Sequence, residues 1–429
     1  MRIVDVLCVP ARAGFFTDDA AAIAAGAKHE GFRYVGPPLT PGFTQIRQPG
    51  EALSVLLLLE DGQVAHGDCA AVQYSGVGGR DPVFTAALAG NAVLEAVAPA
   101  LIGAEVDDFA ALSARLDDLR FGGRPLHTAV RYGVSQALLD AAARARGITM
   151  AEVVRDDWDT GVELGPVPMF VQSGDDRYAN VDKMILKQAG ALPHGLVNNV
   201  ETKLGLQGEI LAEYVTWVRD RVLALRAGSD YVPTLHFDVY GTVGAAFGGD
   251  TELIADYLAR LGELAAPFAL TIEQAVDAGS TPDQVKAMSA LREALRSRGS
   301  NVSLAVDEWC NTLADIEQFV AARAVDVVHV KTPDLGGLHA TIEALLLVRR
   351  SGLRAYCGGT CNETDRSAQV CAHVAMACGA AQVLAKPGMG VDEGLMVVGN
   401  EMARVTALAA SRSALLDATQ AVDGRRRSP

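Results

Sequence analysis

Two different spacings of apolar residues divide this chain. Strand patterns come first, in MRIVDVLCVP at residues 1–10 and in SVLLLLEDGQVAHGDCAAVQ at 54–73. The second run folds back at Asp61-Gly62, where glycine supplies the positive φ of a tight turn. Helical spacing then takes over in 83–99, 106–119 and most strongly 126–146, LHTAVRYGVSQALLDAAARAR. Strands followed by helices predict an α+β cap over residues 1–160.

From about residue 164 strand and helix patterns alternate. The strand-like runs are VPMFVQS, LVNNVET, TLHFDV, FALTIE, VSLAVD, VDVVHVK, LRAYCG and AQVLAK, separated by helical segments such as EILAEYVTWVRDRVLALR and ADIEQFVAAR. Eight such runs predict a TIM-like (β/α)8 barrel over residues 161–429, so the fold expected is α/β with an N-terminal cap. An open doubly wound sheet would give the same local signals.

Four of the runs end on a charge. Asp238 follows LHF, Glu273 follows LTI, Asp307 follows LAV and Lys331 follows VHV, with separations of 35, 34 and 24 residues, about one strand-helix unit each. That spacing places them at the same edge of successive parallel strands. A single acid at a strand end usually caps a helix or faces water. Three in register repel one another unless a cation is shared, and hard oxygen donors suit Mg²⁺.

Lys331 then reads as a base beside that ion, suited to removing a weakly acidic C–H next to a carboxylate; a salt bridge to Asp307 or Asp334 is the plainer alternative. His194, between Pro193 and Gly195 just ahead of the second run, is a candidate second acid or base, or else a loop hydrogen-bonder. Gln172 ends the first run, with an amide that both donates and accepts. In YCGGTCNET, 356–364, the glycines would let the backbone N–H groups of Thr360 and Cys361 approach an anion. Cys357 and Cys361 lack the spacing of a usual zinc pair. SGVGGRDP, 75–82, has no P-loop lysine and reads as a loop near the barrel mouth.

Composition narrows the partners. The net charge of −15 argues against a nucleic-acid or anionic-membrane surface, and Arg425 to Arg427 read as a solvated tail. The weakly charged stretches 86–104 and 368–385 contain Pro99 and His373 respectively, and read as buried helices rather than membrane spans. Seven scattered cysteines fit reduced thiols, and the amino terminus lacks a secretory pattern. A cytoplasmic location is the expectation.

Longer pieces are more specific. GFTQIRQPGE, DGQVAHGDCAAVQYSG, LHTAVRYG, QSGDDRY, NVDKMILK, FDVYGT, DEWCNT, KTPDLGG, YCGGTCNET and LAKPGMGVDEG together resemble the methylaspartate ammonia-lyase family of the enolase superfamily. The resemblance implies reversible elimination of ammonia from 3-methylaspartate to give mesaconate, with Mg²⁺, activation by K⁺, a homodimer and a place in glutamate degradation. It implies that Asp238, Glu273 and Asp307 bind Mg²⁺, and that Lys331 is the base for the (2S,3S) substrate. His194 would face it from the other side, while Gln172, Thr360, Cys361 and, from the cap, Gln73 hold the remaining carboxylate and the amino group.

Two positions depart from the family. His329 stands where the family carries glutamine, two residues before Lys331 and so on the same face of the strand. EQAVD follows Glu273 in place of a Glu-Gly-Pro turn. The first leaves a related reaction open, such as racemisation, dehydration or deamination of another amino acid. A non-catalytic metal-binding or assembly protein is the reading from a different class.

Overall fold

A computed structural model describes residues 1–76 and 79–426, with the side chains of 413 and of 415 onward left out. Arg427 and the side chains of Arg425 and Arg426 therefore lie outside the described residues, as do Val77 and Gly78 of the 75–82 loop.

The N-terminal region builds a three-stranded antiparallel sheet in chain order, Ile3–Asp18, Arg47–Leu59 and Val64–Ala70, with the last two joined at Asp61-Gly62 as the sequence predicts. The helix Thr128–Arg146 lies against it and is buried from Ala129 to Ala143, apart from Arg131. A helix buried on nearly all its faces is packed on more than one side. Here the second side is the barrel: Ser135 Oγ accepts from the Leu338 N–H at 3.0 Å and Tyr132 reaches Glu363. Helix and sheet meet at Gly67 and Gly133, where a Cβ on either would overlap the backbone of the other element.

Eight parallel strands then close a barrel: Met169–Phe170, Ala191–His194, Thr234–Asp238, Leu270–Glu273, Ser303–Val306, Val327–Val330, Arg354–Cys357 and Gln382–Leu384. Each pairs with the next in sequence, and the eighth pairs with the first. Phe170, Ala191, Ala305, Val327, Tyr356 and Leu384 fill its interior. The closed barrel excludes the open-sheet alternative.

One strand is not where the alternation put it. LVNNVET is a loop running into a π-helical turn, Val200–Leu204, and the second barrel strand is the preceding Ala191–His194. Asn199 causes the difference, since its Oδ1 accepts from the Thr202 N–H at 2.8 Å and starts the turn. Pro193 hid the true strand because proline cannot donate to a ladder. No helix among the described residues is long and apolar enough to cross a membrane.

Candidate active site

The C-terminal ends of the barrel strands carry the chemistry. Asp238 and Glu273 are register partners on neighbouring strands, Asp307 follows Val306 and Lys331 follows Val330. His194, now the last residue of the second strand, joins the same rim. The chain leaves these strands abruptly, with left-handed backbone at His194, Leu196, Tyr240, Gln274 and Trp309. Non-glycine residues held there cost about 1 kcal/mol or more each and gather at functional sites.

A cavity of about 1020 Å³ opens above this rim. Asp238, Glu273, Asp307, Lys331, His194 and His329 line it, together with Gln172, Thr360, Cys361 and the cap's Gln73. All ten positions singled out from the sequence therefore face one space.

Glu273, Asp307 and His329 each offer a donor atom within 4.8 Å of the others. Lys331 Nζ lies 2.5 Å and His329 Nδ1 3.1 Å from Asp307 Oδ1, without hydrogen-bond alignment to either. Asp334, the other partner considered for Lys331, is taken by Arg80 at 2.8 Å. Asp238 stands beside this cluster, with Oδ2 3.5 Å from His194 Nε2. Burial and the neighbouring charges of Glu273, Glu308 and Asp307 push its carboxyl well above the usual range.

The two other carboxylates go the opposite way. Despite burial, Glu273 is held below its ordinary value by hydrogen bonds from His236 and His329, and Asp307 by the charges of Lys331 and His329. Burial opposes the charge on Lys331, yet Asp307 keeps its ammonium above the ordinary value. His329 is likewise carried up, against burial, by Asp307 and then by its hydrogen bond to Glu273. Burial pulls His194 down to about 4, so its ring is neutral near pH 7.

Several participants had gone unnoticed in the sequence. His236 Nε2 meets Glu273 Oε2 at 2.9 Å, and the ring stacks on Phe170 with centroids 4.2 Å apart. Tyr356 donates to Glu273 Oε1 at 2.6 Å and touches His329 Nδ1. His236 was within reach of a period-two reading, because it lies two residues before the strand-end Asp238 and shares its face, whereas no acid ends the strand that carries Tyr356. Glu308, beside Asp307, is raised to about 7 by burial and by the Asp307 charge.

The loop after the seventh strand differs from expectation in one respect. The Thr360 N–H donates to Glu363 Oε2 at 2.9 Å, so it is spent inside the protein. The Thr360 hydroxyl and the Cys361 thiol are the groups turned to the cap: Gln73 N donates to Thr360 Oγ1 at 3.3 Å, and Cys361 Sγ donates to Gln73 Oε1 at 3.2 Å. Gln73 Nε2 is held in turn by Asp18 at 2.9 Å. After Glu273, Gln274 takes the left-handed turn and accepts from the Asp307 N–H at 3.3 Å.

The family description "Methylaspartate ammonia-lyase N-terminus" matches residues 1–159, and "Methylaspartate ammonia-lyase C-terminus" matches 161–411. The chain belongs to the methylaspartate ammonia-lyase family. It is 56% identical over 412 residues to the methylaspartate ammonia-lyase of Clostridium tetanomorphum, covering 96% of this chain and all of that one. The Mg complex of β-methylaspartase from the same organism superimposes with a TM-score of 0.93 at 56% identity, over 96% of this chain and 100% of that structure. The Citrobacter amalonaticus enzyme containing (2S,3S)-3-methylaspartic acid gives 0.93 at 51% identity, over the same shares. This chain is thus a carbon–nitrogen lyase of that family, with the cap-and-barrel fold of its relatives.

Proposed function

We propose that the protein eliminates ammonia from (2S,3S)-3-methylaspartate to give mesaconate. The observation that carries this reading is the amine of Lys331 set against Asp307, beside Glu273 and His329, at the mouth of a barrel built like those of the family. The donor set fits a divalent ion, since Asp307 Oδ1 and Glu308 Oε2 are buried without a hydrogen bond and an anionic cluster needs a countercharge. Asp238, Glu273 and Asp307 would hold Mg²⁺, with His329 adjacent. When bound, that ion supplies a Lewis acid for the substrate carboxylate next to C3 and takes up charge from Asp307.

Lys331 takes the C3 proton in this reading. Its amine is held above its ordinary pKa by the Asp307 charge, and loses that support once the carboxylate is shared. His194, neutral near pH 7, faces the same cavity and steadies the opposite side. Gln172, His329, Thr360, Cys361 and Gln73 hold the remaining carboxylate and the ammonium, keeping the C–N bond aligned for departure. The homodimer, K⁺ activation and a role in glutamate degradation belong to the same reading.

The test mixes protein, Mg²⁺ and 3-methylaspartate and follows ultraviolet absorbance of the new conjugated double bond. No rise, together with turnover of another amino acid, would replace this reading by the related reaction that His329 leaves open. A lack of C3 deuterium exchange with every acid tried would leave only the non-catalytic reading.

A further inference from the structure

Beneath the loop that carries Thr360 and Cys361 lies an ion pair fully closed to water. Lys386 Nζ sits 2.6 Å from Glu363 Oε2, with both side chains 0% exposed. Removing two charges from water costs about as much as their attraction returns, so such a pair is weak evidence of stabilisation. Its contacts indicate what else it does.

Apart from contacts with Tyr132 and Cys371, the bonds of the pair's side chains run to the loop after the seventh strand and to Thr332 beside Lys331. Glu363 Oε2 accepts from the Thr360 N–H at 2.9 Å, and Lys386 donates to the Gly358 carbonyl at 2.7 Å, so the turn is gripped at both ends. Between them Gly359, at φ +143°, has no room for a Cβ, which would overlap both Glu363 and Lys386. Its N–H donates to His329 Nε2 at 3.2 Å. Glu363 Oε1 accepts from the Tyr132 hydroxyl of the cap helix at 2.5 Å, and from the hydroxyl of Thr332, the residue after Lys331, at 3.4 Å. Lys386 also reaches Thr332 Oγ1 at 3.3 Å and Cys371 Sγ at 3.2 Å.

We propose that Glu363 and Lys386 are a positioning pair that fixes the Gly358–Cys361 loop relative to Lys331, and so sets the spacing between the base and the groups that hold the far end of the substrate. The proposal rests on the ammonia-lyase reading. Short bonds in a dry, low-dielectric interior define geometry better than packing does, and a misplacement of about 1 Å at the reacting atoms costs about 100-fold in rate.

The decisive variant removes both charges at once, Glu363→Leu with Lys386→Met, because an apolar replacement of a buried pair commonly keeps or raises stability. Melting temperature, Mg²⁺ binding by calorimetry, and kcat and KM by mesaconate absorbance are measured on it and on the wild type. The expected result is a fold and Mg²⁺ affinity close to wild type, with kcat/KM down about 100-fold, shared between a lower kcat and a higher KM. A folded double variant with kcat/KM within about threefold of wild type, a difference within ordinary mutational scatter, overturns the proposal. Should the double variant not fold, Thr332→Val and Tyr132→Phe decide it: each is expected to lower kcat/KM about fivefold, one hydrogen bond's worth, at a temperature where melting curves show both variants fully folded. Wild-type rates in both would overturn it. A wild type inactive on 3-methylaspartate would instead sink the lyase reading and say nothing against the geometry of the pair.

Discussion

Lys331→Met separates the electrostatic role of this side chain from its chemical one. Its ammonium is nearly buried and 2.5 Å from Asp307 Oδ1, so removing it leaves a carboxylate only partly compensated, by His329 at 3.1 Å, among Glu273, Glu308 and Asp238. Breaking a buried pair in this way costs about 3–5 kcal/mol. Without added metal the variant is therefore expected to unfold at clearly lower urea than the wild type. Mg²⁺ at about 100 times its Kd should return about 2.7 kcal/mol by binding only the folded form, and should stabilise the variant at least as much as the wild type. Activity should not return. Loss of a general base lowers the rate by about 10²–10⁴-fold, or about 3–5.5 kcal/mol of barrier. The assays are urea unfolding with and without Mg²⁺, mesaconate absorbance, and C3 deuterium exchange at saturating Mg²⁺. A variant keeping a tenth or more of wild-type turnover, or still exchanging C3 deuterium at the wild-type rate, would refute Lys331 as the base. Unchanged urea stability in metal-free buffer would refute the electrostatic account.

Three further outcomes are expected. His329→Gln preserves a donor toward Glu273 and an acceptor for the Gly359 N–H, but loses the ring stacked on Tyr356 at 4.0 Å. It should fold and retain Mg²⁺ binding while shifting the kcat/KM ratio between 3-methylaspartate and aspartate; an unchanged ratio would remove His329 as a specificity determinant. Glu401 accepts from His373 Nε2 at 2.9 Å, and chiefly that hydrogen bond, against burial and with help from Arg404, holds its carboxyl below the ordinary 4.5. A depressed carboxyl stabilises above its unfolded pKa and loses that contribution as pH falls through the folded value. Glu401→Gln should therefore lower stability by about 1–2 kcal/mol at pH 7, with the gap to wild type closing below about pH 4; a pH-independent gap in urea midpoints would contradict this. Phe237→Ala, at a fully buried ring on the third barrel strand, should cost about 3–5 kcal/mol in urea unfolding, and a loss under 1 kcal/mol would show that the barrel wall collapses around it.

Much of the site was legible because a parallel barrel turns sequence position into spatial position. Asp238, Glu273, Asp307 and Lys331 each end an apolar run, and closure alone brings such ends to one rim. His194 was placed near that rim for an inexact reason. LVNNVET alternates like a strand, but Asn199 bonds its own backbone, so the strand is the proline-containing segment just before it. Local patterning cannot rank a cap against a ladder, because both satisfy the same backbone groups.

Local chemistry fixed most of the strand and helix repertoire, the hairpin at Asp61-Gly62 and the family, since apolar periodicity and long irregular motifs are properties of the linear chain. Tertiary structure alone decided the charge states and the second layer of support. Lys331 is held protonated by Asp307, Asp238 is pushed toward neutrality, and His236, Tyr356, Glu363 and Lys386 became visible as partners only once strands far apart in sequence were side by side. Desolvation and Coulomb interactions depend on distances through space, and no spacing along a sequence contains them.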